Sequence, residues 1–264
     1  MLITIQHRLS IVLGDGLPRA VQHLLLTPQS SAVQTVREWQ IEAPGMDGAV
    51  GFIDAFGNRA HLASQTKPDP EFVIIASGIV ETHDRSGVVG RLERDPVHAL
   101  FRRATALTKP IGSITSKFRA APRDGQERIA LLHGLMARVG EVLGEALQTQ
   151  TQDGQGQSQS VGKTAEAADH AHALVGAARA LGIPARYVTG YLMPDGDGPS
   201  GLHAWAEAWD DGLGWIGFDA MLGHCPSEMH VRLATGLDAQ STPPIRSVPA
   251  AGAERSEVSV TVAA

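Results

Sequence analysis

The sequence predicts an α+β protein, with an N-terminal antiparallel β domain followed by helices packed on a second antiparallel sheet. Three observations carry that expectation. Residues 1–85 alternate short β-branched runs with Gly, Pro and Asn turn chemistry. From Asp95 the apolar period becomes helical. From Leu181 two apolar segments follow a helix end and lead into a strand–turn–strand. The expected division is a β-rich domain over 1–85, a helical connecting part over 86–160, and a core over 161–264 holding a central helix and the sheet.

Bulk properties bound what such a chain does. With 264 residues, 43% of them hydrophobic, it has enough apolar mass for a sizeable core. A net charge of −6 provides no general basic surface for nucleic acid or anionic lipid. No apolar run approaches the ~18 residues expected of a membrane span, and the start, MLITIQHRLSIVLGDG, lacks a signal-peptide layout. A soluble, cytoplasmic protein without nucleic-acid or membrane partners is therefore expected. The single cysteine, Cys225, excludes an intrachain disulfide.

Taken in order, Leu2–Gln6, Val33–Ile41 and Glu71–Ala76 read as strands, separated by Gly14-Asp15-Gly16, Thr27-Pro28 and Pro44-Gly45. Asp54-Ala55-Phe56-Gly57-Asn58-Arg59 reads as a tight turn, so Asp54 and Arg59 are assigned to turn stabilisation rather than catalysis. Asp95-Pro96 reads as a helix N-cap and first helical residue. Asp124 and Glu127 match a capping pattern before a helix whose stripe Leu132, Met136, Val139, Leu143, Ala146, Leu147 ends near Leu147. The polar, Gln/Gly/Ser-rich Gln148–Lys163 reads as a loop. The next helix is expected to begin near Thr164 as N-cap and to end at Gly182, with Pro184 just beyond. Its face Ala167, Ala171, Leu174, Val175, Ala178, Leu181 suits close packing on a sheet made by Arg186–Leu192, the 203–219 hairpin and Val231–Ala234. A last strand is expected over Val258–Val262.

The hairpin carries the chemistry. A three-residue loop Asp210-Asp211-Gly212, with Gly212 left-handed, places Trp209 opposite Leu213, Trp205 opposite Gly217 and His203 opposite Asp219. Directly opposed side chains have Cβ atoms ~4.5–5.5 Å apart, so the carboxylate can accept a hydrogen bond from the imidazole and set its tautomer. That is a base with its orienting group, and it calls for a nucleophile.

LGIPARYVTGYL, the LHAWAEAW…GLGWIGFD hairpin and HVRLATG resemble the bacterial transglutaminase-like proteins of the papain-type cysteine-enzyme superfamily. LLLTPQS and DAFGNRAH resemble the β-rich region that precedes that core, and FRRATALTKP resembles the connection. The resemblance implies a Cys–His–Asp triad, with the cysteine opening the central helix in a pattern like GVCQDFAH. His203 and Asp219 match the histidine and aspartate. Asp169, Ala171 and His172 match the helix pattern, which places Ala167 where the family carries its nucleophile. Alanine has neither nucleophile nor ionisable group. Ala220-Met221 also replaces the proline and threonine that follow the family's aspartate.

Three readings follow. The first is a catalytically degenerate transglutaminase-like protein that binds a peptide or protein. The second is an active cysteine-dependent peptidase, amidase or acyl transferase using Cys225 with His203 and Asp219. The third is a structural component of an assembly. No cofactor is expected. No metal site is expected either: His170 and His172 point to different helix faces, and His224, Cys225 and His230 lack zinc-site spacing.

Overall fold

The computed structural model describes residues 1–93, 95–120, 125–150, 159–194 and 201–263. Alternating apolar and polar residues lay down six strands before residue 85: β1 (Leu2–Val12), β2 (Arg19–Thr27), β3 (Gln34–Glu42), β4 (Val50–Ile53), β5 (Arg59–Thr66) and β6 (Glu71–Thr82). Then come β7 (Val88–Gly90), α1 (Gly112–Thr115), α2 (Gly125–Gln150) and α3 (Gln159–Ala180). The chain ends with β8 (Ala185–Leu192), β9 (Gly201–Asp210), β10 (Gly214–Phe218), β11 (His230–Gly236), β12 (Ile245–Val248) and β13 (Ala253–Val262). The expected α+β class holds. No α-helix occurs among the described residues before residue 85.

Two four-stranded antiparallel sheets, ordered β13-β1-β6-β3 and β12-β2-β5-β4, form the N-terminal part. Leu9, Ile11, Phe72 and Ile74 of the first pack against Leu24, Leu26 and Ile245 of the second, because alternate residues of each strand turn inward. The sequence division into 1–85 and 161–264 is corrected here. The last two strands complete the N-terminal sheets, with Ile5 opposite Val260 and Leu24 opposite Ile245, while β7 joins the later sheet beside β10.

The later sheet is ordered β11-β8-β9-β10-β7. Ala206, Ala208, Ile216 and Phe218 lie under α2 and α3, where Leu132, Leu135, Val139, Leu174, Val175 and Ala178 meet them. The alanines of α3 keep the helix close to the sheet. Gly176 allows the Thr108 carbonyl to approach, since a Cβ there would stand 2.6 Å from its oxygen. The buried Arg179, near the end of α3, donates to the carbonyls of Phe101, Arg103, Ala185 and Leu237 and to Thr108 Oγ1.

β11 is an edge strand, and two side-chain amides pair with its backbone at Arg232 and Thr235. Gln34 accepts from the Arg232 N–H at 2.7 Å and donates to the Arg232 carbonyl at 2.8 Å. Asn58 pairs with the N–H and carbonyl of Thr235, both at 2.8 Å. Each amide copies a ladder pair and covers an edge that would otherwise be open. Asp54 stabilises the turn that presents Asn58, accepting from the N–H groups of Phe56 and Asn58 and from the Asn58 amide.

Three helix-start expectations meet the structure. Asp95 does not cap a helix. Its carboxylate accepts from Leu92 N–H, Arg186 and the Trp215 indole, and the nearby turn is a short 3₁₀ segment over His98–Arg102. Asp124 lies outside the described residues, and α2 continues to Gln150. Thr164 is not an N-cap, because α3 already begins at Gln159. The Gln, Lys, Ala and Glu of this stretch are good helix formers, and one glycine does not stop them. The proposed loop Gln148–Lys163 is thus helical at both ends, with 151–158 outside the described residues.

Candidate functional site

The site grows from the β9–β10 turn. Asp210 Oδ1 accepts from the N–H groups of Gly212 and Leu213, both at 2.9 Å, closing an Asx-type turn. The loop is Asp211–Leu213, and the left-handed residue is Gly214, with φ 81°, rather than Gly212. Asp210 therefore faces Gly214, Trp209 faces Trp215 and Glu207 faces Gly217. The expected register is corrected by two residues, so His203 and Asp219 are not directly opposite. Because side chains alternate with period two, a two-residue shift leaves every side chain on its original face. The pair survives diagonally: His203 Nε2 lies 2.6 Å from Asp219 Oδ2. His203 is 3% exposed and Asp219 0%.

A third residue completes the group. His230, at the start of β11, places its Nε2 3.2 Å from the same Asp219 oxygen. Its Nδ1 accepts from the Ser227 N–H at 3.2 Å, so its proton sits on Nε2 and is donated to the carboxylate. Asp219 Oδ1 accepts from the N–H groups of Met221 and Leu222, both at 3.1 Å. Burial works against the carboxylate charge, yet the hydrogen bonds from His203 and His230 prevail and hold its pKa well below the usual range. Burial lowers the His230 pKa despite Asp219 beside it. Sequence reading missed this role of His230. The signal was present: the turn after Asp219, pinned by the Asp219–His224 bridge, returns the chain towards the carboxylate.

The ligand atoms of His203, Asp219 and His230 lie within 4.8 Å of one another, which raises the question of a metal. The donor set does not fit one. A metal-bound imidazole donates its other N–H outward, whereas His230 Nδ1 accepts, so a metal on Nε2 would require an imidazolate. The other histidines weighed as metal ligands in the sequence, His170, His172 and His224, are committed separately. His170 bonds the Glu166 carbonyl, and His224 bonds that of Cys225. His172 stacks on Tyr187 and accepts from the Ala239 N–H.

Ala167 is 0% exposed and packs with Ala171, Tyr187 and Ala204, next to Met221 and Ala239. Its neighbours thus include Ala204, which follows His203 on β9, and Met221, two residues past Asp219. The expected position in the first helical turn is corrected. With α3 starting at Gln159, Ala167 lies about two turns in, beyond the reach of the helix terminus. Cys225 follows His224, whose backbone bridges to Asp219. It is partly buried against the core beneath α2, and a Cβ at Gly87 would stand 3.4 Å from its Sγ. Burial pushes its thiol pKa up. Among the described residues, no hydrogen bond joins its sulfur to a histidine.

Beneath the histidines, β9 carries a buried ion network. Glu207, fully buried, accepts from Arg186 Nε at 2.6 Å and Arg232 Nε at 2.8 Å. Arg186 also reaches Asp95 at 3.2 Å and lies 3.8 Å over the Trp215 ring. Burial would raise the Glu207 pKa, but the two guanidinium groups bring it below its ordinary value.

Comparison with known proteins places this geometry. Residues 3–81 match the model of the bacterial transglutaminase-like N-terminal region, and residues 134–220 match that of the transglutaminase-like superfamily. An uncharacterised protein of Mycobacterium leprae (strain TN) is 23% identical over 241 residues, 84% of each chain. A Mycobacterium tuberculosis protein (strain ATCC 25618 / H37Rv) is 29% identical over 105 residues, 36% of this chain and 33% of its own. The crystal structure of a candidate cysteine protease from Cytophaga hutchinsonii aligns with TM-score 0.61 at 19% identity, over 100% of this chain and 92% of that one, a likeness of fold.

Proposed function

Because the chain belongs to the transglutaminase-like superfamily and carries the bacterial transglutaminase-like N-terminal region, we propose that it is a degenerate member that binds a peptide or protein without thiol chemistry. One observation carries this reading. The position assigned to the family's nucleophile is Ala167, buried among other apolar side chains, while the single thiol, Cys225, makes no hydrogen bond to a histidine among the described residues and has its pKa raised by burial. A thiol enzyme requires the thiolate, and a raised pKa removes it at neutral pH. The His203–Asp219 pair keeps the base-and-orienter arrangement, but its carboxylate is also tied to His230 and two backbone N–H groups, which suits a structural anchor for the hairpin. The active-enzyme reading with Cys225 has no comparable support.

The test is incubation with a defined peptide pool. Pull-down reads retention, and mass spectrometry reads hydrolysis, deamidation or ligation. Retention of a subset of peptides without chemical change is the expected outcome. Turnover that disappears in Cys225→Ala overturns the proposal in favour of the thiol enzyme.

A further inference from the structure

A cleft of about 520 Å³ opens where the N-terminal part meets β11, walled by residues within 29–32, 53–59 and 91–96. Three arginines, Arg59, Arg91 and Arg232, line it against one described carboxylate, Glu93. Arg232 is held in place: its side chain is 9% exposed and its Nε is fixed on Glu207. Its two terminal nitrogens make no hydrogen bond among the described residues. Arg232 is itself part of the cleft lining. Arg91 donates through one nitrogen to the Asp211 carbonyl at 2.7 Å. Ser30 and Ser31 each use their oxygen as acceptor, from Val36 and Val33 N–H, which leaves their hydroxyl protons to donate. The polar lining is thus dominated by donors.

We propose that this cleft binds an organic anion through a carboxylate or phosphate head group, with Arg232 as the fixed donor and Arg59 and Arg91 closing on it. Guanidinium forks match the geometry of both oxyanions. The volume exceeds that of a bare inorganic ion and falls within the ~300–1,000 Å³ of small-molecule pockets, so the head group has a carrier. The site is separate from the His203 pair and does not depend on how that pair is read.

Isothermal titration calorimetry at low ionic strength tests the assignment. The probes are N-acetyl-dialanine, its C-terminal amide and phenyl phosphate. The proteins are wild type, the double variant Arg59→Gln/Arg91→Gln, and Arg8→Gln as a control for the loss of an exposed positive charge. The expected result is binding of the acid or of phenyl phosphate, at least about tenfold weaker in the double variant and unchanged in Arg8→Gln. The amide is expected to bind at least about tenfold more weakly than the acid. Binding of the acid alone identifies a carboxylate ligand, and binding of phenyl phosphate alone a phosphorylated one. Either supports the site. Absence of binding by both oxyanions at millimolar concentration overturns the proposal, as does affinity that the double variant leaves intact in a normally folded protein.

Discussion

Glu207→Gln probes the network that underlies the histidine site. The carboxylate is fully buried and neutralises two guanidinium groups, Arg186 at 2.6 Å and Arg232 at 2.8 Å. Removing one partner of a buried ion pair costs about 3–5 kcal/mol, because the opposite charge is left uncompensated. Glutamine keeps one acceptor for one arginine, which recovers about 1 kcal/mol. It also turns an NH₂ group towards the other arginine, donor against donor. Asp95, 3.2 Å from Arg186, offsets only that guanidinium. The net expectation is a loss of about 3 kcal/mol, from the gross cost less the recovered bond. Urea unfolding followed by tryptophan fluorescence reads this directly, since Arg186 lies over Trp215. With a urea slope of about 3 kcal/mol/M, the midpoint falls by about 1 M. A shift below about 0.3 M, equivalent to ~1 kcal/mol, would refute the reasoning and show that the buried guanidinium charges are compensated without Glu207.

Two further outcomes follow from the packing. A Cβ at Gly190 collides with the Trp205 indole and the Val231 carbonyl, and β8 is held on both sides by β9 and β11. Gly190→Ala should therefore cost about 3 kcal/mol and alter the near-ultraviolet circular dichroism, whereas Gly14→Ala, with open space around it, should stay within about 0.5 kcal/mol. His7 is buried between Tyr191 and Ser256, and burial lowers its pKa from 6.5 to about 4. Between those values the unfolded chain binds more protons than the folded one, so the stability contributed by neutral His7 is complete above pH 6.5 and declines as the pH falls towards 4. Wild type should lose about 2 kcal/mol more than His7→Gln between pH 7 and pH 5 in urea titrations, and equal losses would contradict the assignment.

The histidine pair was legible because strand patterning and turn chemistry are local. Glycines and aspartates at 210–214 signal a hairpin, and the period-two rule preserves the face of His203 and Asp219 even when the register moves by two residues. Strands β1, β3 and β6 were legible for the same reason, whereas β2, β4 and β5 were not named from the sequence. What escaped depends on distant parts of the chain. β13 pairs with β1 across nearly the whole sequence, and nothing within Ala253–Val262 names its partner. Arg186, Glu207 and Arg232 look like surface charges within their strands, and only tertiary contact makes them a buried network. His230 reaches Asp219 through a returning turn rather than a ladder. The start of α3 was misplaced because a Gln/Ser/Gly-rich composition reads as loop, although its last residues, from Gln159, join the helix.

The central claim is that this fold holds no activated thiol. Cys225 is the single cysteine, so alkylation by iodoacetamide reports on it alone. The pH dependence of the alkylation rate gives the thiolate pKa. With burial raising that pKa, labelling should be slow at pH 6 and should rise with an inflection above the ordinary thiol value of about 8.5, unchanged in His203→Ala. Fast labelling at pH 6, with an inflection below about 7 that is lost in His203→Ala, would contradict the account and identify Cys225 as a nucleophile paired with His203.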